Sequence, residues 1–137
     1  MTRSSPGTAG RVLGIIVGHG ELPRALLDAA TSIVGETDGI TVISNKDYSA
    51  ADLVARLTHA VDAAGSDSVI VFVDMFGSSC STAGARVQRE RPGVAVVCGV
   101  NLPMLIRFLT YRGKMGFEKL VRVVQEAGQS AVKPVAG

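Results

Sequence analysis

Four short apolar runs, each followed by an amphipathic stretch closed by turn residues, constrain this chain more than any other feature. They span Val12–Val17, Gly39–Ser44, Ser68–Asp74 and Val94–Gly99. The third, SVIVFVD, is continuously apolar and β-branched, the pattern of a strand covered on both faces. Leu22–Val34 reads as a helix, with Pro23 in its first turn and Gly35 as its stop. A second helix is entered through Ser49 and Asp52, a capping-box spacing. It carries Leu53, Leu57, Ala60, Val61 and Ala64 at helical intervals before Gly65. Further helices are expected over Ser79–Glu90, Pro103–Tyr111 and Phe117–Ala127. Strands that alternate with helices bury their apolar faces as a parallel sheet with crossover helices. The expectation is therefore an open, doubly wound, mainly parallel α/β sheet of order 2-1-3-4 with helices on both faces. A short edge strand is expected around Ser130–Lys133, ahead of Pro134.

A chain of 137 residues is long enough for one core, so residues 11–137 are expected to form a single domain. The polar lead MTRSSPGTAG, residues 1–10, is expected to be disordered. No apolar run reaches the ~18 residues of a membrane span. The net charge of +2 comes without a basic cluster, and aromatics make up only 4%, which excludes the footprint of a nucleic-acid binder. Arg3 and Arg11 ahead of VLGIIVG imitate a signal peptide. The run is too short, however, and Gly14 interrupts it, so it reads as the first strand of a cytoplasmic protein. Cys80 and Cys98 are too few and too far apart for a disulfide scaffold or a four-ligand zinc site, and both are expected as reduced thiols.

In doubly wound sheets ligands bind beyond the carboxyl ends of the strands, where the strand order reverses. The residues there are His19, Asn45 and Lys46, Asp74 to Ser79, and Gly99 to Asn101. With order 2-1-3-4 the crevice lies between the first and third strands, flanked by His19 and Asp74. An aspartate that accepts one ring N–H fixes the tautomer and leaves the other nitrogen's lone pair free as a nucleophile. The turn MFGSSCS brings Gly77, Ser78 and Ser79 to a helix amino terminus, where free N–H groups and the dipole favour an anion. Asn101 is a further candidate contact, otherwise a cap. Glycines on either side of His19 keep bulk away from its ring.

The segments IIVGHGELPRALLDAA, VIVFVDMFGSSCSTA and VCGVNLPMLIRFL, in order over about residues 12–133, resemble the enzyme IIA domain of the mannose class of the bacterial sugar phosphotransferase system (PTS). The resemblance implies a phosphohistidine carrier in which His19 accepts a phosphoryl group from HPr and passes it to an enzyme IIB. Membrane components IIC and IID would be served indirectly. It further implies Asp74 as partner of the His19 ring, Gly77–Ser79 as the phosphoryl cradle, no cofactor or metal, and a homodimer whose C-terminal strand crosses between subunits. Members commonly read Gly-Gly-Ser/Thr-Pro where this chain has Gly77-Ser78-Ser79-Cys80, and often carry Thr or Ser at the place of Gly18.

Two other readings stand beside it. A histidine-phosphorylated binding module, whose partner reads the added charge, needs no transporter. Cys80 to Arg86 also has the Cys-x5-Arg spacing of cysteine phosphatases. A Ser-based elbow lacks its last glycine and has both histidines ahead of the serine. A receiver domain would need an acidic pair where this chain has Gly18-His19-Gly20. His59, off its helix's apolar stripe, is expected in solvent, Cys98 in the core, and Arg107 and Arg112 on a solvated face.

Overall fold

The computed structural model describes residues 11–136. Four strands, β1 (Leu13–Gly18), β2 (Ile40–Ser44), β3 (Val69–Val73) and β4 (Val94–Cys98), form one all-parallel sheet of order β2-β1-β3-β4. Five helices connect and cover it: α1 (Leu22–Val34), α2 (Ala50–Ala63), α3 (Ser79–Glu90), α4 (Leu102–Tyr111) and α5 (Phe117–Ser130). The expected sheet order is the observed one. The disordered lead expected over 1–10 lies outside the described residues.

Alternation along the strands divides the core. Ile15, Val17, Val71 and Val73 face α2 and α3, packing on Leu53, Leu57, Cys80 and Val87. Ile16, Ile70 and Phe72 face the other layer, meeting Leu27, Leu105, Phe108 and Leu120 from α1, α4 and α5. All five residues of β3 are buried, as expected for a strand covered on both sides. The capping box at the start of α2 is formed, with Ser49 Oγ accepting from the Asp52 N–H at 3.1 Å and Asp52 Oδ2 accepting from the Ser49 N–H at 3.4 Å.

Two expectations are corrected. The edge strand around Ser130–Lys133 is absent among the described residues, because α5 runs on through Ser130. Gly128, one residue past the expected helix end at Ala127, lies inside α5 as a packing position. A Cβ there would lie 2.5 Å from Met104 Cε, and its carbonyl accepts from Asn101 Nδ2 at 3.1 Å. Arg112 is not on a solvated face but 5% exposed, with its Nη2 donating to Asp38 Oδ1 at 3.4 Å and its guanidinium 5.7 Å from the Phe108 ring. Burial, and then the neighbouring Arg11, push the Arg112 pKa down, while Asp38 opposes that shift. His59 and Arg107 are exposed, as expected.

Arg11 donates to both carboxylate oxygens of Asp38, at 3.0 and 2.6 Å, and this holds the Asp38 carboxyl below the usual carboxylate range. Arg91 does the same for Asp62. A carboxyl whose folded-state pKa is depressed adds stability above its unfolded-state pKa and loses it as pH falls through the folded-state value. Thermal melts between about pH 5 and about pH 2 should therefore show a loss of stability that is shallower in an Asp38→Asn/Asp62→Asn double variant. An unchanged slope would show that these pairs contribute nothing, as many surface ion pairs do.

Candidate active site at the crevice between the first and third strands

The parallel register sets Val17 beside Val73, so Gly18 and Asp74 emerge side by side where β1 and β3 end. His19 follows one residue later and is anchored twice on one carboxylate oxygen. Its backbone N–H donates to Asp74 Oδ2 at 2.9 Å, and its ring Nδ1 lies 2.8 Å from the same atom. With Asp74 ionised, Nδ1 carries the proton and Nε2 keeps its lone pair. The two side chains differ sharply in exposure, 49% for His19 and 9% for Asp74. The ring is thus presented to solvent by a buried support.

In this chain Gly18 lets the Asp74 carboxylate approach the β1 backbone closely. A Cβ there would lie 2.8 Å from Asp74 Cγ and 2.9 Å from Oδ2, inside contact distance. Gly20 adopts φ +58, a left-handed turn that starts the path into α1, and its N–H donates to Asn45 Oδ1 at 3.3 Å. Asn45 thus reaches the crevice from the end of β2, one of the residues expected there. Gly18→Ala should displace the carboxylate without opening the core. If the His19 ring performs chemistry, its rate should fall on the order of tenfold to a hundredfold, since misplacement by about an ångström costs that much. Kinetics on the folded variant check this, and an unchanged rate would mean that the close approach at Gly18 is immaterial.

The turn after β3 bends at Gly77, φ +86, and Ser78 caps α3 by accepting from the Ser81 N–H at 3.2 Å. Ser78 Oγ also donates to the Met75 carbonyl at 2.7 Å, and Ser81 Oγ accepts from the Gly77 N–H at 3.1 Å. The Ser78 hydroxyl is therefore engaged in holding the turn. Ser79 is exposed, and the first N–H groups of α3, at Ser79 and Cys80, have no carbonyl ahead of them in the helix to accept from them. That terminus, with its positive dipole end, suits an anion. Asn101 is committed elsewhere: its Oδ1 caps α4 by accepting from the Met104 N–H at 3.1 Å, and its Nδ2 holds Gly128.

Cys80 is fully buried, and burial, reinforced by the Asp74 charge, pushes its thiol pKa up. Arg86, the arginine of the Cys-x5-Arg spacing, is exposed and lies 3.5 Å from Glu90. A cysteine phosphatase needs an accessible, acidified thiol beside its arginine, and this arrangement provides neither. Sequence reasoning passed over Met75 and Phe76, which are exposed to 56% and 84% beside the site. Their signal was two large apolar residues placed outside the strand, directly after Asp74.

A histidine held by a buried aspartate thus stands at the switch point of a doubly wound α/β sheet, next to a helix terminus that suits an anion. The EIIA-man family, described as PTS system fructose IIA component, matches residues 14–125, and the chain belongs to that family. It is 29% identical over 125 residues to the PTS system mannose-specific EIIAB component of Escherichia coli K12. That match covers 88% of this chain and only 39% of the longer relative. It is 25% identical over 114 residues to the PTS system sorbose-specific EIIA component of Klebsiella pneumoniae, covering 83% of this chain and 84% of that protein. The crystal structure of phosphotransferase system component EIIA from Streptococcus agalactiae superposes with a TM-score of 0.85. It covers 91% of this chain and 98% of its own at 22% identity, a likeness of fold.

Proposed function

We propose that the protein is a phosphohistidine carrier of a sugar phosphotransferase system, accepting a phosphoryl group on His19 from phospho-HPr and passing it to an enzyme IIB. The observation that carries this reading is the His19 ring, half exposed with Nδ1 tied to buried Asp74. Nε2 attacks the donor phosphorus, and an N–P bond forms as the donor's N–P bond breaks, its electron pair returning to the donor imidazole. The phosphorylated His19 ring keeps its Nδ1 proton and becomes cationic, and the Asp74 carboxylate offsets that charge. The α3 terminus at Ser79, in the turn Gly77–Ser79, supplies N–H groups for the phosphoryl oxygens. Met75 and Phe76, directly after Asp74, and Leu22, three residues after His19, are exposed apolar side chains on which a donor and a recipient protein would dock in turn.

No helix among the described residues is long and apolar enough to cross a membrane, which fits a carrier moving between cytoplasmic partners, with IIC and IID served through IIB. The same reading makes the working unit a homodimer. Asp74→Asn tests the carrying observation: the amide can donate to Nδ1 and favour the wrong tautomer, and it cannot offset the ring charge. Transfer from purified phospho-HPr should slow by roughly a hundredfold or more with the fold intact. Transfer at the wild-type rate would remove the role assigned to Asp74.

A further inference from the structure

A third potential ligand lies against the His19–Asp74 pair. One ligand atom each from His19, Asp74 and Cys80 falls within 4.8 Å of the other two. The Asp74 side chain is nine-tenths buried, and its Oδ1 has no hydrogen-bond partner among the described residues. A buried carboxylate oxygen without a partner has lost its hydration with nothing in return. A cation between that carboxylate and the cysteine sulfur would restore the missing interaction.

We propose that His19, Asp74 and Cys80 form a three-ligand Zn²⁺ site whose fourth position is open to water on the exposed side of the imidazole. Imidazole nitrogen, carboxylate oxygen and thiolate make the mixed set that Zn²⁺ takes, at bond lengths of about 2.0–2.3 Å. Ligand atoms around such an ion stand roughly 3.2–3.6 Å apart, so the group closes by about an ångström as the ion enters. Ca²⁺ and Mg²⁺ are disfavoured, because they require a shell of oxygens and a thiolate is a poor ligand for them. On binding, the Cys80 sulfur–hydrogen bond breaks, the proton goes to solvent and the thiolate electron pair forms the sulfur–zinc bond. The imidazole binds neutral and keeps one N–H, on whichever nitrogen the metal does not take.

The functional consequence rests on the phosphocarrier reading, whereas the site itself does not. A metallated His19 has given its free lone pair to the ion, so the zinc-bound and phosphorylated forms exclude one another. Zn²⁺ is then an inhibitor of transfer that acts at the acceptor residue.

The test titrates metal-free protein with Zn²⁺ against a chromophoric chelator, and with Co²⁺ to read the sulfur-to-metal charge-transfer band. Wild type should bind one ion per chain and show the band. Cys80→Ser should lose the band and bind Zn²⁺ about tenfold or more weakly, as should His19→Ala and Asp74→Asn in zinc affinity. Cys98→Ser should leave both readouts unchanged. Thermal melts confirm that each variant is folded. If Cys80→Ser is not, the two variants that retain Cys80 carry the test through the cobalt band, which both should weaken. No saturable binding, or zinc affinity in folded Cys80→Ser equal to wild type, overturns the site. Phosphoryl uptake from purified phospho-HPr should stop at saturating Zn²⁺ and return with chelator, and undiminished uptake overturns the inhibition. A protein that binds Zn²⁺ but takes up no phosphoryl group even when metal-free overturns the phosphocarrier reading and leaves the metal site standing.

Discussion

His19→Ala should reduce phosphoryl acceptance to background, the largest functional effect expected of any single substitution here. Neither the Ser78 hydroxyl nor the Cys80 thiol is free to substitute for the ring. The Ser78 hydroxyl is engaged by the Met75 carbonyl and the Ser81 N–H, and the Cys80 thiol is buried with its pKa raised. The loss should be complete, unlike that of Asp74→Asn, because it removes the atom that forms the new bond rather than the group that orients it. Stability should barely change. The ring is half exposed and its side-chain hydrogen bond is to Asp74, so a shift within about 0.5 kcal/mol is expected. Transfer assays on the folded variant read this directly, and measurable acceptance by His19→Ala would move the acceptor to another residue.

Phe108→Ala should produce the largest structural effect. The ring is fully buried, meets Phe72 edge-on at 5.1 Å between centroids, and covers Gly14, where a Cβ would lie 3.1 Å from it. Its removal costs the transfer free energy of the ring and leaves a cavity between α4 and the centre of the sheet. The typical loss is about 3–5 kcal/mol. Against the ~5–15 kcal/mol of an ordinary domain this is a large fraction, and the melting temperature should fall by roughly 10 °C or more. Denaturant and thermal unfolding check it. A loss under about 1 kcal/mol would mean that the neighbouring side chains collapse into the space. The site lies at the strand ends, so transfer below the melting temperature should survive.

The sheet order was legible because each βα unit announces itself locally and because right-handed crossovers leave few ways to arrange four of them. The same logic brings His19 and Asp74 together from the sequence alone, since both follow strands that flank the switch point. What escaped depends on distant contacts. Arg112 reads as a surface cation until Asp38, 74 residues away, is found beside it. The helix expected to end at Ala127 continues through Gly128, whose missing Cβ makes room for Met104. Gly18 reads as room for approaching partners, whereas the structure uses it as room for the Asp74 carboxylate. In each case the sequence records a residue type that admits two explanations, and only packing between separate elements distinguishes them. The second charge pair, Arg91 with Asp62, escaped for the same reason: its partners lie 29 residues apart on different elements.

The most direct test of the account is the intact mass of the metal-free protein after incubation with phosphoenolpyruvate, enzyme I and HPr, with His19→Ala treated in parallel. A gain of one acid-labile phosphoryl group in the wild type, absent from the variant, is the predicted result. A wild type that gains nothing from a competent donor, or a variant that gains as much as the wild type, would contradict the assignment of His19 as the phosphoryl acceptor.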